Sequence, residues 1–174
     1  MTILTNFSFD GDKKRFDVCN YRDFLDPAAD CTLEEILAAA PFSTPDLCLI
    51  RHVQYAPIPR GIEDAGFPTV LLLDDWFGGY DYLFDHFGRF DYIFTDRTTV
   101  DLLKKSGVKN VDYWPLFGYQ PSRFYCEENV DRTIDVSFTG SFNSSIQDRR
   151  LRLLRRLAAL DERYNVRLFC KVWG

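Results

Sequence analysis

The segment Thr69-Val-Leu-Leu-Leu73 constrains the fold more than any other. Its apolar residues are consecutive rather than alternating, so an extended chain there is apolar on both faces, the mark of a strand in the middle of a parallel sheet. Gly66 and Pro68 interrupt whatever precedes it, and Asp74-Asp75-Trp76 followed by Gly78-Gly79 end it. The two carboxylates therefore fall at the carboxyl end of the strand, where open α/β sheets bind their ligands. A turn- or helix-capping role for Asp74 and a solvated Asp75 are the plain alternatives.

The flanking segments repeat the pattern. Thr32-Leu-Glu-Glu35 is a capping box, in which hydroxyl and carboxylate satisfy each other's orphan amides, and it predicts a helix to about Ala40, closed by Pro41. Leu47 to Ile50 reads as a buried strand with Arg51 and His52 at its far end, and Ile58 to Ala65 as a short helix with Pro59 in its first turn. Phe90 to Thr95 is a strand ending at Asp96, Thr98 to Ser106 a helix closed by Gly107, and Val111 to Trp114 a strand stopped by Pro115. Weaker signals suggest strands at Ile3 to Phe7 and Phe16 to Cys19, around a turn at Asp10-Gly11. Strands alternating with helices predict a Rossmann-like, doubly wound parallel sheet with helices on both faces. Right-handed crossovers then align Arg51, His52, Asp74, Asp75, Asp96 and Trp114 along one edge.

With 174 residues and 46 % hydrophobic content, the chain has enough apolar material for a core. No apolar stretch nears the ~20 residues of a membrane helix, and Met1 to Asp10 has no basic start leading into an apolar run, so a cytoplasmic protein without a membrane span is expected. Five scattered cysteines with no C-x-x-C pair argue against a disulfide framework and against a zinc site, and suggest reduced thiols. Residues 1–130 carry 12 Lys/Arg against 21 Asp/Glu, a net of −9, whereas residues 131–174 carry 9 against 5, a net of +4. The acidic body disfavours nucleic acid as a partner, and the basic end suits a phosphate.

Seven rings lie within residues 76–90. Most are expected against the sheet, with Trp76 and Tyr80 at the rim to stack on a sugar or a base. Residues 116–131 read as a linker between a first domain, 1–115, and the opening of a second, 132–174. The latter begins with a strand from Thr133 to Thr139 that runs into Gly140-Ser141-Phe-Asn143. A helix from Asp148 to Asp161, bearing Arg149, Arg152 and Arg156 on one face, and a strand from Val166 to Cys170 follow.

Taken in order, the Gly66-Phe-Pro-Thr69 strand opening with Asp74-Asp75-Trp76, Phe90-Asp-Tyr-Ile-Phe-Thr95, Gly107-Val-Lys-Asn-Val111 and Ile134-Asp-Val-Ser-Phe-Thr-Gly-Ser141 followed by Arg149-Arg150 resemble the CgeB-like (spore maturation protein B type) glycosyltransferases. The resemblance covers about residues 32–174 as a spaced set of short motifs. It implies the GT-B fold, two Rossmann-like domains around a cleft, with the acceptor side in residues 1–115 and the start of a nucleotide-sugar domain from residue 132. It also implies a metal-free enzyme with no further cofactor, and a chain that is a fragment, because most donor-binding groups of that fold lie later in the second domain.

Glycosyl transfer needs a base for the acceptor hydroxyl, and positive or amide groups for the departing diphosphate. His52, Asp74, Asp75 and Asp96 are the candidate bases, while Gly140, Ser141 and Asn143, as an amide nest before a helix, and Arg149 are the candidates for the diphosphate. The expected partners are a nucleotide-sugar donor and an acceptor the sequence does not specify. The 132–174 unit is expected to extend the first sheet or to self-associate, because a lone β-α-β unit leaves a face and an edge open. The reading from a different class is a non-catalytic, flavodoxin-like module that binds a phosphorylated ligand or a protein. No G-x-G-x-x-G or P-loop supports a dinucleotide or nucleoside triphosphate version of it.

Overall fold

The computed structural model describes residues 1–7, 15–26, 30–51, 57–74, 83–115, 130–143 and 148–173. They fall into two compact units, Met1–Tyr119 and Gln120–Gly174.

The first unit is a mostly parallel α/β structure built on a six-stranded sheet. Its strands are β1 (Thr2–Thr5), β2 (Asp17–Asn20), β3 (Leu47–Arg51), β4 (Thr69–Leu73), β5 (Tyr92–Thr95) and β6 (Val111–Tyr113), in the spatial order β2-β1-β3-β4-β5-β6. Every neighbouring pair is parallel, with Leu49 beside Val70, Leu71 beside Ile93 and Thr95 beside Tyr113. The apolar run of β4 is thus central, as its two-faced pattern requires.

Helix α1 (Leu33–Ala39) starts at the predicted capping box, with the Thr32 hydroxyl accepting from the Glu35 amide at 3.1 Å and the Glu35 carboxylate accepting from the Thr32 amide at 2.8 Å. Helix α2 (Arg97–Lys105) ends in a Schellman turn: the Gly107 amide donates to the Lys104 carbonyl and the Val108 amide to the Leu103 carbonyl, with Gly107 at φ 91°. Ile36 of α1 and Leu103 of α2 are fully buried, and both helices pack on one sheet face, formed by Leu4, Cys48, Ile50, Leu71, Leu73, Ile93 and Val111. The opposite face holds a smaller cluster of Ile3, Leu49 and Val70, flanked by Phe7, Phe16, Val18, Leu47, Leu72 and Phe94.

The expectation of helices on both faces is therefore corrected for the described residues. From β2 onward each crossover steps the same way along the sheet, and right-handed connections that share a direction share a face. The expected helix over Ile58 to Ala65 is also corrected: only Ile62–Asp64 makes a 3-10 turn. Arg60 pairs instead with Thr32 in a parallel bridge, and Gly61 turns at φ 76°. Arg89 secures this crossover with bonds to Glu63 (2.8 Å), the Pro59 carbonyl (3.0 Å) and His86 Nδ1 (3.1 Å). Among the cysteines, Cys31 and Cys48 are buried, Cys19 is half-buried and Cys170 is exposed; burial pushes the Cys48 thiol up to about 12.

The second unit pairs β7 (Val136–Asn143) with β8 (Val166–Trp173) in parallel, joined through helix α3 (Asp148–Ala158), which a 3-10 turn prolongs over Ala159–Glu162. Among its described residues, Leu154 and Val166 are the buried apolar ones. The register sets Val136 beside Val166 and Phe138 beside Leu168 as the more buried pairs, and leaves Ser137 beside Arg167, Thr139 beside Phe169 and Ser141 beside Lys171 exposed. Among the described residues these strands form a two-stranded sheet of their own.

Candidate functional site at the carboxyl edge of the sheet

The strand order reverses at β1: the chain passes from β1 to β2 on one side, then returns to β3 on the other. In open α/β sheets the crevice at such a switch point is where ligands bind. Asn6, the first residue after β1, stands there with 1 % exposure. Its side chain acts as a further rung of the ladder: Nδ2 donates to the Arg51 carbonyl at 2.5 Å, and Oδ1 accepts from the Arg51 amide at 2.8 Å. With its main chain clamped at both groups, Arg51 projects its guanidinium across to β4. Nε and Nη2 both donate to Asp74 Oδ2, at 3.1 and 2.7 Å, and the guanidinium carbon lies 5.7 Å from the centre of the Phe7 ring. Asp74 is 8 % exposed, a burial that a carboxylate tolerates when paired and hydrogen-bonded.

The edge continues along β5 and β6. The buried Thr95 hydroxyl donates to the Leu73 carbonyl at 2.7 Å, tying the ends of β4 and β5. Asp96 caps α2, accepting from the Thr99 amide at 3.1 Å and the Thr99 hydroxyl at 2.5 Å. Burial alone would raise its carboxyl, but the bonds from Thr99, with those from the Thr98 and Asp96 amides, outweigh it and hold the carboxyl below its ordinary value. Trp114 carries the edge on: its amide donates to the Thr95 carbonyl at 3.0 Å and its indole leans on Phe94, ring centres 5.7 Å apart. Arg97 lies over the Tyr113 ring at 5.2 Å.

The expected edge is thus assembled from Arg51, Asp74, Asp96 and Trp114. His52, Asp75, Trp76 and Tyr80 lie outside the described residues. Asp96 has both carboxylate oxygens committed to its cap, a role that works against proton abstraction. The phosphate nest is corrected: Gly140, Ser141 and Asn143 belong to β7, and an extended strand does not make its successive amides converge as a nest does. Arg149 is exposed in the first turn of α3, and the neighbouring Arg150 donates to the Ser141 carbonyl at 2.9 Å. Among the described residues no group of three or more His, Cys, Asp or Glu could hold a metal ion, and no helix is long and apolar enough to cross a membrane.

Asn6 was not anticipated, because a single Asn before unpatterned residues carries no signal until β3 lies beside it. These features define an α/β protein with a polar, mutually braced carboxyl edge at a topological switch point. A scan against protein-family models, a search of curated proteins and a search of solved structures each return no match.

Proposed function

We propose that this chain belongs to a cytoplasmic glycosyltransferase of GT-B type, with the Met1–Tyr119 unit on the acceptor side and the Gln120–Gly174 unit opening the nucleotide-sugar side. The observation that carries this reading is the Asn6–Arg51–Asp74 array at the switch point of a parallel sheet, beside the sequence positions of the two remaining candidate bases, His52 and Asp75. In such a reaction the base takes the proton of the acceptor hydroxyl, the oxygen attacks the anomeric carbon, and the nucleoside diphosphate leaves with the bonding electrons. Asp74 is better suited to holding Arg51 than to serving as the base, since one of its oxygens already accepts two guanidinium bonds. Arg149 and its neighbouring arginines would meet the developing diphosphate charge.

The engagement of both Asp74 and Asp96 in supporting contacts favours a second reading, a non-catalytic α/β ligand-binding module. Nucleotide release from a panel of nucleotide-sugars, measured on the full-length protein with and without glycoside acceptors, separates the two. Acceptor-dependent release that falls at least about tenfold, roughly 1.4 kcal/mol in the barrier, in His52→Ala or Asp75→Asn supports transfer. Donor binding without any release, or release unchanged in both variants, overturns the transferase in favour of the module.

A further inference from the structure

We infer that the carboxyl edge from Arg51 to Trp114 takes a neutral oligosaccharide, with a pyranose ring lying on the Trp114 indole and a hydroxyl accepting from Arg51. This names the acceptor class for the site just described and rests on that reading. Three observations carry it. Trp114 is 53 % exposed, yet it is held at both ends, by the main-chain bond to Thr95 and by the Phe94 ring beneath it. A fixed, open indole presents an electron-rich face to the polarised C–H groups of a sugar ring at little cost in ordering.

The second observation concerns charge. The guanidinium of Arg51 is compensated by Asp74, Arg97 lies on Tyr113, and the amino end of α2, which would otherwise attract an anion, is filled by the carboxylate of Asp96. A phosphorylated or carboxylated ligand would also approach a body with a net charge of −9 over residues 1–130. A neutral ligand rich in hydroxyls meets no such repulsion, and hydroxyls can both donate and accept along a mixed edge. Arg51 provides the donor: Nε and Nη2 face Asp74, which leaves Nη1 on the outer side of the fork, on a side chain that is 24 % exposed.

The third observation is length. The Arg51 guanidinium sits over the end of β4, and Trp114 follows β6, two strands further along. The indole leans back toward Phe94 of β5, so the span to be bridged is one to two strand spacings, about 5–10 Å, and a second sugar unit brings both groups into contact more readily than a single ring does.

The test is saturation-transfer NMR and isothermal titration of the full chain with neutral methyl hexosides, their di- and trisaccharides, and matched uronic acid and sugar phosphate probes. Affinity is expected to rise from mono- to disaccharide and to exceed that of the charged probes at low salt. Trp114→Ala should weaken the disaccharide at least about fivefold, Trp114→Phe should recover part of that loss, and Arg51→Met should weaken it comparably. Tyr92→Ala, which removes an exposed ring from the amino end of β5, should change nothing. Circular dichroism and urea midpoints establish that each variant is folded; loss of binding in a folded Trp114→Ala supports the inference. It is overturned if no neutral probe binds at about 10 mM, if charged probes bind more tightly, or if folded Trp114→Ala binds as the parent does. Oligosaccharide binding without nucleotide release would leave this inference standing and sink the transferase. Transfer to a charged acceptor would do the reverse.

Discussion

The side chain of Asn6 hydrogen-bonds both main-chain groups of Arg51, so a residue 45 positions away holds the end of β3 as a sheet partner would. Removing it by Asn6→Ala leaves a buried amide and carbonyl without partners, at a cost of about 1–3 kcal/mol. Asn6→Asp keeps the acceptor for the Arg51 amide and loses the donor to its carbonyl, so it should not rescue. Urea unfolding followed by circular dichroism checks both, and a parental midpoint in Asn6→Ala would show that the clamp contributes nothing.

The Arg51–Asp74 pair should be asymmetric under mutation. Arg51→Met removes the charge partner of a carboxylate that is 8 % exposed, whereas Asp74→Asn leaves an uncharged acceptor beside a guanidinium that is 24 % exposed and better able to reach water. The first change is expected to cost more, about 2–3 kcal/mol, and the double variant less than the two single costs added together. A double-mutant cycle on unfolding free energies reads the coupling directly.

Asp96 sets an acid-side dependence. Its carboxyl is lowered in the folded chain from the ordinary 3.8, so its contribution is present above that value and is lost as pH falls through the folded-state value. Asp96→Asn keeps the capping oxygen and should flatten the loss of stability at low pH. Asp96→Ala should cost about 0.5–2 kcal/mol near neutral pH. Unfolding midpoints measured between about pH 7 and pH 2.5 separate charge from cap.

Gly107 has φ 91°, and a Cβ built there meets nothing within 4 Å. Gly107→Ala should therefore cost only backbone strain, about 1–2 kcal/mol, and Gly107→Asn less, because Asn enters the left-handed region more readily. Equal losses for Ala and Asn would point to a steric cause that the open space argues against.

Much of the first unit was legible in the sequence, and the reason is local. The capping box at Thr32, the two-faced apolar run of β4 and the Gly107 stop are each decided within a few residues by hydrogen bonding, burial or backbone freedom, so they carry their own signal. The crossover at Ile58 to Ala65 misled because Pro59 and Gly66 sit where a short helix would start and stop, whereas the bridge from Arg60 to Thr32 and the turn at Gly61 win once α1 lies beside it. Gly140 and Ser141 resemble a strand-to-helix turn until β8 supplies Cys170 and Lys171 as register partners, which keep them extended.

Parallel strands with carboxylates at their ends follow from local patterning in the chain, because apolar runs and caps act over short range. That β1 lies between β2 and β3, that Asn6 therefore meets Arg51, and that Arg51 crosses to Asp74 emerge only when the strands assemble. Strand order depends on long-range pairing, whose free energy comes from the burial of one strand against another and leaves no mark in either segment alone.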